Sequence, residues 1–325
     1  MSTAVTHPVD RFAEAFRAIA TNVGRVIQGK PEAIDLAVLS LVAQGHLLIE
    51  DVPGVGKTSL AKALARSIDC PFGRVQFTPD LLPSDVIGVT VWNRNDATFE
   101  FRPGPIFAGI VLGDEINRAS PKTQSALLEA MAERQVTVDG VSHGLPGPFM
   151  VIATQNPIEH EGTYPLPESQ LDRFLMRVSM GYPEHQAELE ILEAHGGAAD
   201  QERLDALAPV VAAQEVDEMA DDVAHVHVAP SIRSYLVQLA DATRRHPSLA
   251  LGMSPRATLS LQRVARARAA AAERSYVIPD DLKALALPVL AHRLVPTPEA
   301  QLAGTTSAEV LTEVLASVPV PSVGG

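Results

Sequence analysis

Leu47-Leu48-Ile49-Glu50-Asp51-Val52-Pro53-Gly54-Val55-Gly56-Lys57-Thr58-Ser59-Leu60 decides how the rest of the chain is read. Leu47 to Ile49 make a short buried strand, and Leu60, Leu64 and Ile68 then fall on one apolar stripe at helical spacing. A glycine loop ending in Lys-Thr joins the two. Gly54 and Gly56 let backbone N–H groups approach phosphate oxygens, and the N-terminus of the following helix favours negative charge. Pro53, Val55 and Ser59 complete the cradle. Lys57 is placed to reach the β- and γ-phosphates of a nucleotide, and the Thr58 hydroxyl to ligate Mg²⁺. The Gly-x-x-x-x-Gly-Lys-Thr pattern has Asp51 where its first glycine would stand. Asp tolerates left-handed turns better than most residues, so the loop still forms.

Outward from this loop, strand-like runs recur at Arg74–Phe77, Ile110–Leu112, Phe149–Ala153 and Leu175–Val178, with helical patterns between most of them. That alternation implies a mostly parallel sheet covered by helices on both faces. Helical patterns also run from Arg11 to Val23 and from Pro31 to Val42. The strand Ile110-Val111-Leu112 ends in Gly113-Asp114-Glu115, and Phe149–Ala153 ends in Thr154-Gln155-Asn156-Pro157. Ligands of open parallel sheets bind beyond the C-terminal ends of the strands, where both endings and the glycine loop fall. Asp114 is positioned to hold Mg²⁺, Glu115 to polarise a water attacking the γ-phosphate, and Asn156 to hydrogen-bond that water or the phosphate. Two segments interrupt the α/β pattern as β-hairpins: Val89–Phe101 around Asn93-Arg94-Asn95-Asp96, and Gln135–Val141 turning at Asp139-Gly140.

Beyond Pro183 strand signals largely stop, and helical patterns follow at 184–195, 231–245, 255–272 and 279–293. The expected organisation is a nucleotide-binding α/β core over 1–182, a small all-helical lid over 183–300, and a C-terminal stretch over 301–325. In that last stretch Leu311 and Val314 mark a helix ahead of a mobile Pro- and Gly-rich tail.

Composition sets outer bounds. The 325 residues suffice for about two domains. Lys plus Arg is 26 and Asp plus Glu is 39, a formal charge of −13. Nucleic-acid affinity rests largely on counterions released by Lys and Arg, so that charge argues against nucleic acid as the main ligand. The single cysteine, Cys70, excludes an intrachain disulfide and reads as a buried, inert thiol. No signal-peptide design opens the chain, and no apolar run reaches the ~18 residues needed to span a bilayer. The expected location is cytoplasmic, without membrane insertion.

The chain closely resembles the MoxR family of AAA+ ATPases. The resemblance is carried by Gln76-Phe77-Thr78-Pro79-Asp80-Leu81-Leu82-Pro83-Ser84-Asp85, Asp114-Glu115-Ile116-Asn117-Arg118-Ala119, Ala153-Thr154-Gln155-Asn156-Pro157, Leu171-Asp172-Arg173-Phe174 and Ser254-Pro255-Arg256, in the family's order. The resemblance implies an ATP- and Mg²⁺-dependent ATPase. Lys57 and Thr58 become its Walker A contacts, Asp114 and Glu115 its Walker B pair, and Asn156 its sensor 1. Arg256 looks like sensor 2, acting from the lid. Arg173 looks like the arginine finger entering a neighbouring subunit's site, with Arg177 as its competitor. Val26-Ile27-Gln28-Gly29 resembles an adenine-side segment with its last two residues exchanged.

An arginine in trans implies a ring, by family analogy a hexamer. The two hairpins resemble the family's helix-2 insert and presensor hairpin. The function implied is chaperone-like remodelling or activation of a partner, such as a protein with a von Willebrand factor A domain, in complex maturation or metal-cofactor insertion. The alternatives are a magnesium-chelatase-like ATPase subunit and an ATP-gated assembly switch with slow turnover. Trp92, in the first hairpin, reads as packing against its own sheet, with a grip on substrate as the other reading. Arg263, Arg266, Arg268 and Arg274 read as a solvated basic face. His225-Val226-His227 reads as an extended segment with two imidazoles on one side and no third ligand nearby.

Overall fold

A computed structural model describes residues 8–157, 162–182, 188–189 and 202–321. These pack as two units that are each discontinuous in sequence. One takes the described residues of 18–166 and 178–217, the other those of 1–17, 167–177 and 218–325. The patterns expected over 184–195 and the tail end at 322–325 lie outside the described residues, apart from 188–189. No helix among the described residues is long and apolar enough to cross a membrane.

The chain begins with helices α1 (Pro8–Gly24) and α2 (Pro31–Val42), the latter starting on a proline that suits a first turn. Strand β1 (Leu47–Glu50) follows, then α3 (Lys57–Ser67), β2 (Phe72–Gln76) and the short α4 (Pro83–Ile87). Strands β3 (Gly88–Asn93) and β4 (Thr98–Pro103) form the first hairpin. After β5 (Ile110–Asp114) and α5 (Pro121–Glu133) comes a second hairpin, β6 (Gln135–Val138) with β7 (Val141–Gly144). It turns at Asp139 and Gly140, both left-handed with φ of 52° and 81°, the pairing a two-residue hairpin turn requires. Strand β8 (Met150–Gln155), α6 (Glu168–Leu171) and β9 (Met176–Val178) complete the sheet region.

The five-stranded sheet has the order β2-β5-β8-β1-β9, and β2 with β5, β5 with β8, and β8 with β1 pair in parallel. Ile110–Leu112, Met150–Ala153 and Leu47–Ile49 are fully buried. Near-continuous apolar strands are what a parallel sheet covered on both faces demands. The order puts β5, β8 and β1 side by side in the middle, with Gly113 opposite Ala153 and Glu50 opposite Gln155. The three strand endings singled out in the sequence are therefore neighbours in space.

The hairpins lean on aromatic contacts. Trp92 meets Phe99 edge-on across its own hairpin at 4.9 Å, and the Phe101 ring stacks on His143 of the second hairpin at 3.9 Å.

Next come α7 (Ala213–His225), which belongs to the other unit from Glu218 on, and, wholly within that unit, α8 (Pro230–Arg245), α9 (Pro255–Ala271), α10 (Pro279–Leu290), α11 (Pro298–Leu302) and α12 (Ser307–Ser317). A 3₁₀ turn, Ala291–Arg293, follows α10. Tyr235, Leu239, Leu261, Val264, Leu285 and Val289 fill its core. The helices expected here are present, and a small antiparallel pair is added, β10 (Leu249–Leu251) with β11 (Val295–Pro296). His225 closes α7, its Nδ1 2.8 Å from the Asp221 carbonyl, rather than lying in an extended segment. The two-imidazole arrangement therefore does not form.

Candidate functional site

The phosphate loop spans from β1 to α3. Gly54 and Gly56 are left-handed, with φ of 86° and 91°, where any side chain would strain the backbone. A Cβ at Gly54 would meet nothing within 4 Å, so the loop's outer surface is open. Gly56 stands at the N-cap of α3 with no side-chain cap, which leaves the first N–H groups of that helix to face a ligand. Left-handed glycines, an open rim and an uncapped helix start fit a chain of phosphates.

Asp51 does something other than expected. It is not among the residues with positive φ, so it is not standing in for a left-handed glycine. Its carboxylate instead accepts hydrogen bonds from the N–H groups of Met180 at 2.7 Å and Gly181 at 2.6 Å, and from the Ser179 hydroxyl at 3.0 Å. The other oxygen accepts from the Val52 N–H at 2.9 Å. Burial alone would raise its pKa; the bonds from Gly181, Val52, Ser179 and Met180 outweigh burial and hold it below the ordinary carboxylate value. Asp51 is an ionised brace between the loop and the segment after β9.

Lys57 donates from Nζ to the Asp51 carbonyl at 2.7 Å. Burial lowers its pKa, opposed by the negative charges of Asp51, Asp114 and Glu115. The ammonium therefore sits within the electrostatic reach of the acidic pair at the end of β5.

Thr154, at the end of β8 and 1% exposed, ties the acidic pair to the neighbouring strand. Its hydroxyl donates to Asp114 Oδ1 at 2.6 Å and accepts from the Glu115 N–H at 2.9 Å. Glu115 has φ 57° and ψ 49°, a left-handed conformation that costs a non-glycine residue about 1–3 kcal/mol. That backbone turns its carboxylate out of the strand direction, where Oε2 accepts from Gln76 Nε2 at 2.9 Å and Arg118 at 3.2 Å. Arg74 donates to Asp114 Oδ2 at 2.9 Å from the adjacent strand β2. Asn156, buried, follows β8 directly. Lys57, Thr58, Asp114, Glu115 and Asn156 thus belong to one rim of one sheet.

A cavity of about 340 Å³ opens among Thr21, Gly24, Ile27, Gly29, Lys30 and Ile34. It borders the phosphate loop, since a Cβ at Gly56 would lie 3.7 Å from Ile27 Cδ1. The segment read as adenine-side therefore lines a cavity next to the loop.

The arginines are in the other unit. Arg173 lies in the turn after α6, and Arg177 lies in the strand that follows, β9. Arg256 is at the first turn of α9, behind the Ser254 cap and Pro255. A cation there opposes the helix dipole, a local conflict typical of functional positions. Its Nε stands 4.0 Å from Asp172 Oδ2.

Thr154, Gln76 and Arg74 were not assigned roles from sequence, although Thr154 and Gln76 lie inside the motif stretches. Thr154 and Gln76 stand at strand ends and Arg74 in the middle of β2; the strand order that makes all three neighbours of the acidic pair is not written in any local stretch.

Comparison with known proteins agrees with this geometry. Residues 46–176 match the family model described as ATPase family associated with various cellular activities (AAA), and residues 241–314 match the AAA lid domain. The chain is 50% identical over 300 residues to the uncharacterized protein YeaC of Bacillus subtilis (strain 168), covering 92% of this chain and 93% of that one. It is 40% identical over 311 residues to Chaperone MoxR1 of Mycobacterium tuberculosis, covering 93% and 81%. The crystal structure of a candidate ATPase from Cytophaga hutchinsonii superposes with a TM-score of 0.89 at 36% identity, covering 97% of each chain. A phosphate loop, an acidic strand end and a polar strand end on adjacent parallel strands, with a matching lid, place this chain in the MoxR family of AAA+ ATPases.

Proposed function

We propose that this protein binds ATP with Mg²⁺ at the phosphate loop, hydrolyses it, and acts as a ring of identical subunits that remodels or activates a partner protein. The observation that carries the hydrolytic reading is the convergence of Lys57, Asp114, Glu115 and Asn156 at the C-terminal ends of three adjacent parallel strands.

The nucleotide would supply the phosphoanhydride bond, and Mg²⁺, when bound, would supply charge neutralisation at its oxygens. The amides at Gly54, Val55, Gly56 and the start of α3 orient the phosphates, with Pro53 and Ser59 flanking them. Lys57 exchanges its bond to the Asp51 carbonyl for the β- and γ-phosphates. Thr58 and Asp114 would hold the metal. Glu115 exchanges Gln76 or Arg118 for the attacking water and draws on its proton; Asn156 fixes that water's position. The cavity lined by Ile27 and Lys30 takes the base. Family resemblance gives Arg256 a role at the γ-phosphate and Arg173 a role at the neighbouring subunit's nucleotide.

The chaperone name of the Mycobacterium tuberculosis relative supports a protein partner. Family resemblance supports a hexamer and a partner with a von Willebrand factor A domain, in complex maturation or metal-cofactor insertion. One observation favours a second reading, an ATP-gated switch with slow turnover: one oxygen of the Glu115 carboxylate, Oε2, is engaged by two donors, Gln76 and Arg118.

Phosphate release from ATP and Mg²⁺ tests the reading with wild type, Lys57→Ala and Glu115→Gln. Lys57→Ala is expected to lose nucleotide binding. Glu115→Gln is expected to bind ATP and to hydrolyse it at least ~10²-fold more slowly, the usual worth of a positioned base. Hydrolysis by Glu115→Gln at the wild-type rate would remove Glu115 from its role.

A further inference from the structure

Beside Arg173 the protein buries an arginine that nothing above uses. Arg293 ends the 3₁₀ turn after α10, and its side chain is 3% exposed. One terminal nitrogen donates to the Phe174 carbonyl at 2.7 Å, and Nε stands 3.4 Å from Asp172 Oδ1. His292 Nε2 reaches the same carbonyl at 3.1 Å, and the Phe174 ring is fully buried. Asp172 and Phe174 are the two residues that flank Arg173. The turn carrying the candidate finger is therefore gripped on both sides, by an ion pair at one neighbour and a charged hydrogen bond at the other.

Stability alone is a poor reason for this arrangement. Desolvating a guanidinium costs several kcal/mol, and apolar residues of similar volume commonly serve a core as well or better. The charge balance here is also incomplete. Arg256 shares the Asp172 carboxylate, and burial together with Arg256 and Arg263 lowers the Arg293 pKa to about 10 against the opposing pull of Asp172. What the guanidinium supplies that an apolar residue cannot is direction: one side chain reaches two points of one turn at once, a hydrogen bond at Phe174 and an ion pair at Asp172, while its Nε also donates to His292 Nε2 at 3.4 Å.

We propose that Arg293 is a positioning residue for Arg173, holding the Asp172–Phe174 turn so that the Arg173 guanidinium is presented to the neighbouring subunit. This rests on the ring reading above. It predicts that losing Arg293 damages the site of the next subunit and spares the subunit's own phosphate loop.

Subunit mixing separates these effects. Arg293→Met alone is expected to lower kcat about tenfold or more, part of the roughly 10³–10⁵ that an arginine in trans is worth, with the KM for ATP within about twofold. Mixing it with Lys57→Ala chains, which hydrolyse nothing but carry a sound Arg173, should restore activity. In a random equal mixture about a quarter of head-to-tail interfaces join a sound site to a sound finger. The same mixture made with Arg173→Ala should recover to the same level.

If the Arg173→Ala mixture recovers and the Arg293→Met mixture does not, Arg293 acts within its own subunit and the proposal is overturned. If neither recovers, the ring reading fails and takes the proposal with it. Should Arg293→Met not fold, Arg293→Lys keeps charge and bulk but cannot reach both anchors, and the same mixing test applies. Wild-type activity in the folded lysine variant overturns the proposal.

Discussion

The Asp51 carboxylate accepts a 2.6 Å hydrogen bond from the Gly181 N–H, which ties the first residue of the phosphate loop to the segment following the edge strand. A glycine at this position would supply backbone freedom. The aspartate supplies a fixed negative charge with donors at Val52, Ser179, Met180 and Gly181. The loop is thus held by its side chain as well as by its turns.

Asp51→Gly restores the common loop pattern, yet it is expected to destabilise the protein by about 2 kcal/mol or more, since a hydrogen bond to a charged group contributes roughly 1.5–3 kcal/mol and four donors, the buried Met180 N–H among them, lose their acceptor. ATP affinity should fall with it, because the freed loop must be ordered by the nucleotide. Urea melts and nucleotide titrations of the two proteins check this; a variant as stable as wild type would show the brace to be idle.

Glu115 is held left-handed at φ 57°. Comparing Glu115→Gly with Glu115→Ala isolates that strain, because both remove the carboxylate and they differ by one Cβ. The glycine variant is expected to be more stable by about 1 kcal/mol, reversing the usual order for these residues, and both should be unable to hydrolyse ATP. Chemical denaturation of the pair reads the difference directly.

Burial, with the Arg293 and Arg177 guanidiniums, lowers the His292 pKa to about 3 against a Phe174 carbonyl that raises it. Its ordinary value is 6.5. Between those two values the unfolded chain binds a proton that the folded chain refuses. Stability therefore falls as pH drops below about 6.5, by at most about 1.4 kcal/mol per pH unit from this residue, and the effect is absent above it. His292→Gln should flatten that part of the profile when urea midpoints are compared at pH 6.5 and 5.5. An unchanged slope would mean His292 titrates normally in the folded protein.

Burial pushes the Cys70 thiol up to about 12. At pH 8 almost none of it is thiolate, so the native protein should react with a thiol reagent roughly a thousandfold more slowly than free cysteine. Labelling at the free rate would contradict the inert thiol expected from sequence.

What the sequence disclosed was local. The glycine loop, the Asp114-Glu115 ending and the Asn156 ending each sit within a few residues of the strand that positions them, and spacing alone reveals such units. The Asp139-Gly140 hairpin turn is legible for the same reason. What stayed hidden depends on chain segments far apart. The partners of Asp51 lie at 179–181, so its role could not be read from the loop, and left-handed tolerance was the wrong reason for its presence. Arg293 lies about 120 residues from the turn it grips, as its bond to Phe174 spans 119 positions. His225 looked extended because its alternation with His227 ignores where α7 ends.

The central claim is that hydrolysis needs a neighbour's Arg173. Steady-state ATPase rate per chain, measured against protein concentration for wild type and Arg173→Ala, tests it most directly. The account predicts a specific activity that rises with concentration in wild type and collapses in Arg173→Ala at every concentration. A specific activity flat with concentration and indifferent to Arg173 would mean that each chain hydrolyses alone, and the ring mechanism would be wrong.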